Sequence, residues 1–388
     1  MVCAGQPLGV SDATLSRWRL IADFKERLHS QLAHSSVAGT WADPQRHLGL
    51  SDYLSLFLLG LFNPVVRTMR GLCEASHLPR VQSEVCRRPV SLGSFSEAQA
   101  ALDPQLLEKV FSALSTEVLA ARPPDSCGRK WLLSDSSLFE ALPRMYWALW
   151  RQQGKEQAQV RLQLSLELTS QSPARASISA GKVNEIALWR GQWRPGDAYV
   201  GDRGFGQDYQ VLGELNEKGI SFVVRLRDSA RINVQEELSL KDDAAKANVI
   251  RAARATLGCN ERYKSIELRV VWVQTPKEIL VLATNLELSA LSAAEVALLY
   301  KERWKIELFF RWIKCILGCR HWLAQSPEGA ALQIYLALIA ALLLQLYTGK
   351  RPNRRLMELL QFYAMGVASV EDVMAGLERQ RPALRKNS

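Results

Sequence analysis

GDAYVGDRGFGQDYQVLGELNEKGISFVVRL, residues 196–226, reads as a strand, a turn, a helix and a second strand. Ala198-Tyr199-Val200-Gly201 is a short apolar strand that ends on Asp202. Residues 212–218 are helical, and residues 220–226 form the next strand. Upstream, Trp131-Leu132-Leu133 is a short strand ending near Asp135. Residues 160–168 alternate strictly, with Val160, Leu162, Leu164, Leu166 and Leu168 on one side. Arg161, Gln163, Ser165 and Glu167 take the other side, the pattern of a half-buried strand. Residues 177–179 add a short neighbour, and residues 182–189 read as a helix. Three strands followed by alternating helix and strand give a mixed α/β core.

The rest of the chain is arranged around this core. Residues 1–122 read as a helical domain and residues 123–227 as the first part of the core. Residues 228–291 are strand-rich, with the clearest strands at 266–273 and 279–284. Ser292-Ala293-Ala294-Glu295 has the form of a capping box, so a long helix is expected from there to about Leu317. Residues 292–347 complete the core, and residues 348–388 form a helical tail with Arg379, Arg381, Arg385 and Lys386. In the N-terminal part, residues 52–69 form an apolar helix that Pro64 bends or breaks. Ser94 to Glu97 is a second capping box, opening a short helix to about Leu102. Asp103-Pro104 starts another, to about Leu119. Preceded by Arg80, Arg87 and Arg88, these two helices read either as a DNA-reading module or as a packing unit.

The 388 residues carry a formal charge of +10, and 48% of them are hydrophobic. That is a globular chain whose excess charge favours an anionic partner, nucleic acid before membrane surface. Its seven cysteines, Cys3, Cys73, Cys86, Cys127, Cys259, Cys315 and Cys319, form no Cys-x-x-Cys pair. They indicate neither a disulfide framework nor a zinc ribbon, and they suit a reducing cytoplasm. Cys315, Cys319 and His321 lie close together but lack a fourth ligand, so a buried helix face explains the cysteines better than a metal site. No basic, then apolar, start marks a signal peptide, and no membrane association is expected. Residues 330–347 are the most apolar stretch, but Gln333 and Gln345 interrupt it. It reads as a buried core helix.

Tyr300, Arg303, Glu307 and Lys314 are spaced so that, at about 100° per residue, all four fall within a helical stripe roughly 60° wide. Taken alone, such a stripe is a solvated face with Arg303 and Glu307 paired. Two aspartates near strand ends change that reading. Asp135 and Asp202 sit at a sheet rim, where ligands bind, although each alone also suits a turn. Two aspartates and a helix-borne glutamate are hard oxygen donors for Mg²⁺. Arg303 grips phosphate with a fork and Lys314 as a point charge.

Tyr300-x2-Arg303-x3-Glu307-x6-Lys314 resembles the signature of the insertion-sequence-four family of DDE transposases. Gly201-Asp202-Arg203-Gly204-Phe205 resembles that family's second-aspartate motif, and Leu133-Ser134-Asp135-Ser136-Ser137 its first. Asp125 is an alternative first aspartate. The run from Leu58 to Pro64 also resembles members of the family. The resemblance implies a ribonuclease H-like mixed sheet flanked by helices, a β-rich insertion before the Glu307 helix, and a helical N-terminal domain that binds DNA ends. It implies two Mg²⁺ or Mn²⁺ ions held by Asp135, Asp202 and Glu307. Double-stranded DNA would be the partner, as terminal inverted repeats and as target, with a homodimer assembled on it. Tyr300, Arg303 and Lys314 would contact terminal phosphates. An extruded base would stack on an aromatic ring, with Trp304 and Trp272 as candidates. Two alternatives share these residues: a nuclease without strand transfer, and an inactive DNA-binding descendant.

Overall fold

The computed structural model describes residues 10–16, 19–33, 48–100, 102–120, 128–152, 154–240, 243–258, 265–317 and 322–379. Residues 123–125 with the alternative Asp125, together with Cys3, Cys127, Cys259, Cys319, His321, Arg381, Arg385 and Lys386, lie outside the described residues.

Helices α1 (Asp12–Ser16), α2 (Arg19–Leu32), α3 (Leu50–Phe62), α4 (Met69–Ala75), α5 (Pro79–Glu84), α6 (Leu92–Ala100) and α7 (Pro104–Ala120) build the N-terminal part. Helix α3 stops at Asn63, immediately before Pro64, so the proline ends the helix rather than bending it. Helix α6 starts three residues before the expected box, because Ser91 Oγ accepts from the Ser94 N–H at 3.1 Å. Asp103 caps α7 by accepting from the Gln105 N–H. Leu106, Leu107, Val110, Phe111 and Leu114 of α7 are buried.

The sheet is formed by β1 (Lys130–Glu140), β2 (Leu149–Gln152), β3 (Lys155–Glu167), β4 (Pro173–Ala180), β5 (Asp197–Gly201), β6 (Ser221–Arg225), β7 (Ile232–Glu237), β8 (Val249–Leu257), β9 (Ile266–Gln274) and β10 (Ile279–Thr284). The spatial order is β2-β3-β1-β5-β6-β10-β9-β8-β7, and β4 also pairs with β3. β3 runs antiparallel to β1 and β4, whereas β5 runs parallel to β1 and β6. The path β4-β3-β1-β5-β6, three antiparallel strands followed by two parallel ones, is the mixed core expected from the sequence. The strands of residues 228–291 do not form a separate sheet. β10 pairs with β6, so they extend the same one.

Helices α8 (Glu185–Gln192) and α9 (Tyr209–Glu217) cover one face. The short α10 (Asp243–Lys246) lies in the insertion. Helices α11 (Ala293–Glu302), α12 (Trp304–Leu317) and α13 (Pro327–Thr348) belong to the other face, and α14 (Arg354–Ala364) and α15 (Val370–Arg379) are the last described helices. Strand alternation divides the apolar side chains between two cores. Leu133, Val200 and Val223 join the core of α12 and α13. Leu132, Tyr199, Phe222 and Val224 join Trp189 and Leu212 beneath α8 and α9. Helix α13 is the one described helix long and apolar enough to cross a membrane, and 89% of its most apolar window is buried inside the fold.

Three expectations change. β1 does not end near Asp135 but runs to Glu140, because antiparallel pairing with β3 continues to Glu140↔Gln159. That pairing overrides the weak strand preference of Ser134 to Ser137. β3 is buried on both faces over much of its length, not on one. Its polar side lies under α8, where Gln192 Oε1 accepts from Ser165 Oγ and Gln192 Nε2 donates to the Gln163 carbonyl. The long helix expected over 292–317 is two helices that break at Arg303.

Candidate active site

β1 and β5 are parallel neighbours in the register Ser134↔Gly201, so Asp135 and Asp202 stand side by side. Asp135 shares the face of Leu133 and Leu164 and therefore looks toward α12. The Ser136 N–H donates to Asp135 Oδ1 at 2.7 Å, and Arg303 Nη1 lies 3.4 Å from Oδ2. Asp202 holds its own turn. Its Oδ1 accepts from the Gly204 N–H at 2.7 Å, and its carbonyl accepts from the Phe205 and Gly206 N–H groups. The turn role and the site role thus coexist in one residue.

Glu307 lies in the first turn of α12, 30% exposed, and accepts from Arg303 Nη2. The Arg303 guanidinium therefore links the helix carboxylate to the strand carboxylate. It also lies 5.8 Å from the centre of the Tyr300 ring, which is buried at the end of α11. Lys314 is exposed, two turns further on, with its ammonium 5.3 Å from the Phe139 ring. The fold thus brings Asp135, Asp202, Glu307, Arg303 and Tyr300 together and sets Lys314 apart, further along β1.

Burial, then the neighbouring Asp202 carboxylate, hold the Asp135 carboxyl up at about 7, against the pull of Arg303. Two close carboxylates, one of them desolvated, are a donor pair whose charge a hard divalent cation would compensate, so the residues fit such an ion. Among the described residues no three acidic, histidine or cysteine side chains converge on one point. Glu307 is reached only through Arg303.

The Asp135 shift has a consequence for stability. Between pH 4 and 7 the folded protein binds a proton that the unfolded chain has released, so stability falls as pH rises through that window. Asp135→Asn removes the ionisation. Its melting temperature without added metal is expected to exceed the wild-type value by several degrees at pH 8 and to match it near pH 4. Equal melting temperatures at pH 8 would refute a destabilising effect of the ionised Asp135 carboxylate.

Sequence reading did not single out Glu185, whose carboxylate is held above its ordinary range chiefly by burial, with Asp202 adding to the effect. It opens α8 behind β1, close to Arg161 and Ser136. The available signal was Arg161, a charged residue on the polar side of an alternating strand. Trp304, half-exposed, borders an apolar pocket of about 370 Å³ with Leu298, Tyr300 and Arg303. Trp272 does not line that pocket and instead lies under the Arg251 guanidinium at 4.5 Å.

Residues 127–343, more than half of the chain and the whole span of this site, match the family described as Transposase DDE domain. The chain belongs to that family. It is 29% identical over 219 residues to "Putative transposase y4zB" of Sinorhizobium fredii, across 55% of this chain and 60% of that protein. It is 28% identical over 157 residues to "Putative transposase for insertion sequence element IS4SA" of Synechocystis sp., across 37% of this chain and 46% of that protein. The chain thus spans about half to three fifths of the length of these relatives. The piggyBac transposase, in a cryo-EM structure of its synaptic complex with hairpin DNA, aligns over 97% of this chain and 85% of that chain. The TM-score is 0.42 and the sequence identity 11%.

Proposed function

We propose that this protein is a DNA transposase that binds the terminal inverted repeats of an insertion sequence, hydrolyses a phosphodiester there and joins the freed end to target DNA. The observation that supports it most is the pairing of Asp135 with Asp202 on adjacent strands, with Glu307 tied to Asp135 through Arg303. Asp135, Asp202 and Glu307 would hold two Mg²⁺ or Mn²⁺ ions. Bound there, the metal supplies activation of an attacking oxygen and stabilisation of the leaving one.

The protein's own groups would do the rest. Arg303, released from the carboxylates, offers its fork to a phosphate, and Lys314 adds a point charge further along the strand. Tyr300 backs Arg303 from its buried position. Trp304, on the rim of the apolar pocket, is the better placed of the two tryptophans to stack an extruded base. Helices α1 to α7 would contribute to end binding. A homodimer on paired ends, acting in the bacterial cytoplasm, completes the reading.

A supercoiled donor plasmid bearing inverted repeats, incubated with protein and Mg²⁺, tests the activity. Excised ends joined to a target plasmid are the expected products. Nicking alone would mean a nuclease, and end binding without any cleavage an inactive descendant. Lys314→Ala is expected to weaken end binding and to reduce by about one the slope of log affinity against log salt concentration. An unchanged slope in a salt-titrated gel shift would remove Lys314 from the DNA contacts.

A further inference from the structure

We infer that Arg161 and Glu185 form a positioning pair that fixes the β1 backbone at Ser136, and through it the orientation of the Asp135 carboxylate. The inference rests on the metal reading of Asp135 and Asp202 proposed above. Arg161 stands on β3 opposite Leu138, on the same sheet face as Ser136 and opposite to that of Asp135. Its Nη1 donates to Ser136 Oγ at 2.8 Å and lies 3.7 Å from Glu185 Oε2. Its Nη2 donates to the Gly181 carbonyl at 3.1 Å. Gly181 is drawn close to β3 by its own N–H, which donates to the Gln159 carbonyl at 2.7 Å. A Cβ at residue 181 would come within 2.9 Å of Gln159 Cβ, so the glycine permits that approach.

The link to the carboxylate is the peptide between residues 135 and 136. Its N–H is the group that donates to Asp135 Oδ1. Anchoring Ser136 from behind the sheet fixes the plane of that peptide, and hence the direction of the N–H on the other side. Residues at such a site need supporting contacts that lock their geometry. The pair is expensive as a purely structural device. The Arg161 side chain is 13% exposed and that of Glu185 29%, and burying two charges costs more than a surface ion pair returns. Arg161 Nε is buried and has no partner, so the guanidinium is not placed to maximise its own bonding. It is placed where it reaches Ser136, Gly181 and Glu185 together.

The experiment measures Mn²⁺ binding to the full chain without DNA, by calorimetry and by the electron paramagnetic resonance of free Mn²⁺. Arg161→Ala and Glu185→Ala are each expected to weaken binding about tenfold or more. The double variant is expected to be no weaker than the worse single one, because the two residues act as one unit. A purely electrostatic role predicts opposite signs, since removing a nearby cation strengthens Mn²⁺ binding while removing a carboxylate weakens it. Tighter or unchanged binding in Arg161→Ala, or additive losses in the double variant, overturns the inference. Ser136→Ala keeps both charges and cuts only the hydroxyl link, so it carries the test if Arg161→Ala fails to fold. A several-fold loss in Ser136→Ala supports the pair, and wild-type affinity overturns it. Asp202→Asn separates the two readings. If it binds Mn²⁺ like the wild type, the metal reading falls and the role of the pair falls with it. If it alone loses binding, the metal reading stands and the pair is refuted.

Discussion

Glu307→Ala is expected to leave the protein folded and able to bind inverted-repeat DNA while lowering strand cleavage at least about a thousandfold, a loss of about 4 kcal/mol in transition-state stabilisation. The side chain is 30% exposed in the first turn of α12, so its removal opens no core cavity. What it removes is the helix-borne carboxylate and one of the two anions that hold Arg303. On the proposed metal reading Glu307 would be one of the ligands, so its loss would weaken the compensation of charge on the leaving oxygen, while phosphate contacts that set affinity would remain. Single-turnover cleavage of pre-bound ends, with a parallel gel shift and thermal melt, measures all three quantities. Glu302→Ala, one residue before the break between the helices, is the control, because among the described residues the ion pair of Glu302 is with nearby Lys305. Cleavage by Glu307→Ala within tenfold of the wild type would remove Glu307 from the site.

Gly206→Ala is expected to be strongly destabilising. A Cβ at residue 206 would lie 2.1 Å from the carbonyl oxygen of Arg225 and 2.9 Å from its carbonyl carbon. The obstacle is backbone at the end of β6, not a side chain that can swing away. Either β6 moves or the turn that holds Asp202 opens. Overpacking of this kind costs about 3 kcal/mol or more. Urea denaturation checks the size of the loss, and it should fall on cleavage too, because the turn places Asp202. Gly213→Ala provides the contrast. Nothing lies within 4 Å of a Cβ there, in the middle of α9, so the same methyl group should stabilise by about 0.5–1 kcal/mol. If both substitutions had the same sign, the steric account of the motif would be wrong.

The two glycines explain part of what a motif records. Gly201-Asp202-Arg203-Gly204-Phe205 was legible as a strand end followed by a turn, and the turn is there. The close approach of Gly206 to β6 was not legible, because it depends on Arg225, at the end of a strand beyond the next helix. Phe205 shows the same division. It reads as one aromatic residue in a loop, yet it is fully buried, with its ring centre 4.4 Å from that of Trp189.

The extent of β1 and the break at Arg303 were misread for related reasons. Local composition favoured a short strand at residues 131–133, and the pairing with β3 carried it on to Glu140. Local periodicity favoured one helix over residues 292–317, and the contacts of Arg303 with Asp135 and Glu307 fall at the break. Glu307 and Lys314 share one face of the unbroken α12 but are two turns apart, so the stripe reaches past the carboxylates. In the folded chain Lys314 stands against Phe139 instead.

The sequence alone determined the class of core, through strand alternation and one strand–helix–strand unit. It also determined the spacing of Tyr300, Arg303, Glu307 and Lys314, because a helix converts separation along the chain into direction. These are short-range consequences of backbone geometry, and side-chain type suffices to read them. Only the tertiary structure decided that the insertion strands extend the same sheet and that Asp135 faces α12 in mid-strand beside Asp202. It also placed Arg161 and Glu185 behind the peptide that holds Asp135. Those facts rest on register between strands distant in sequence, where a shift of one residue turns every side chain to the other face, and no local pattern fixes that choice.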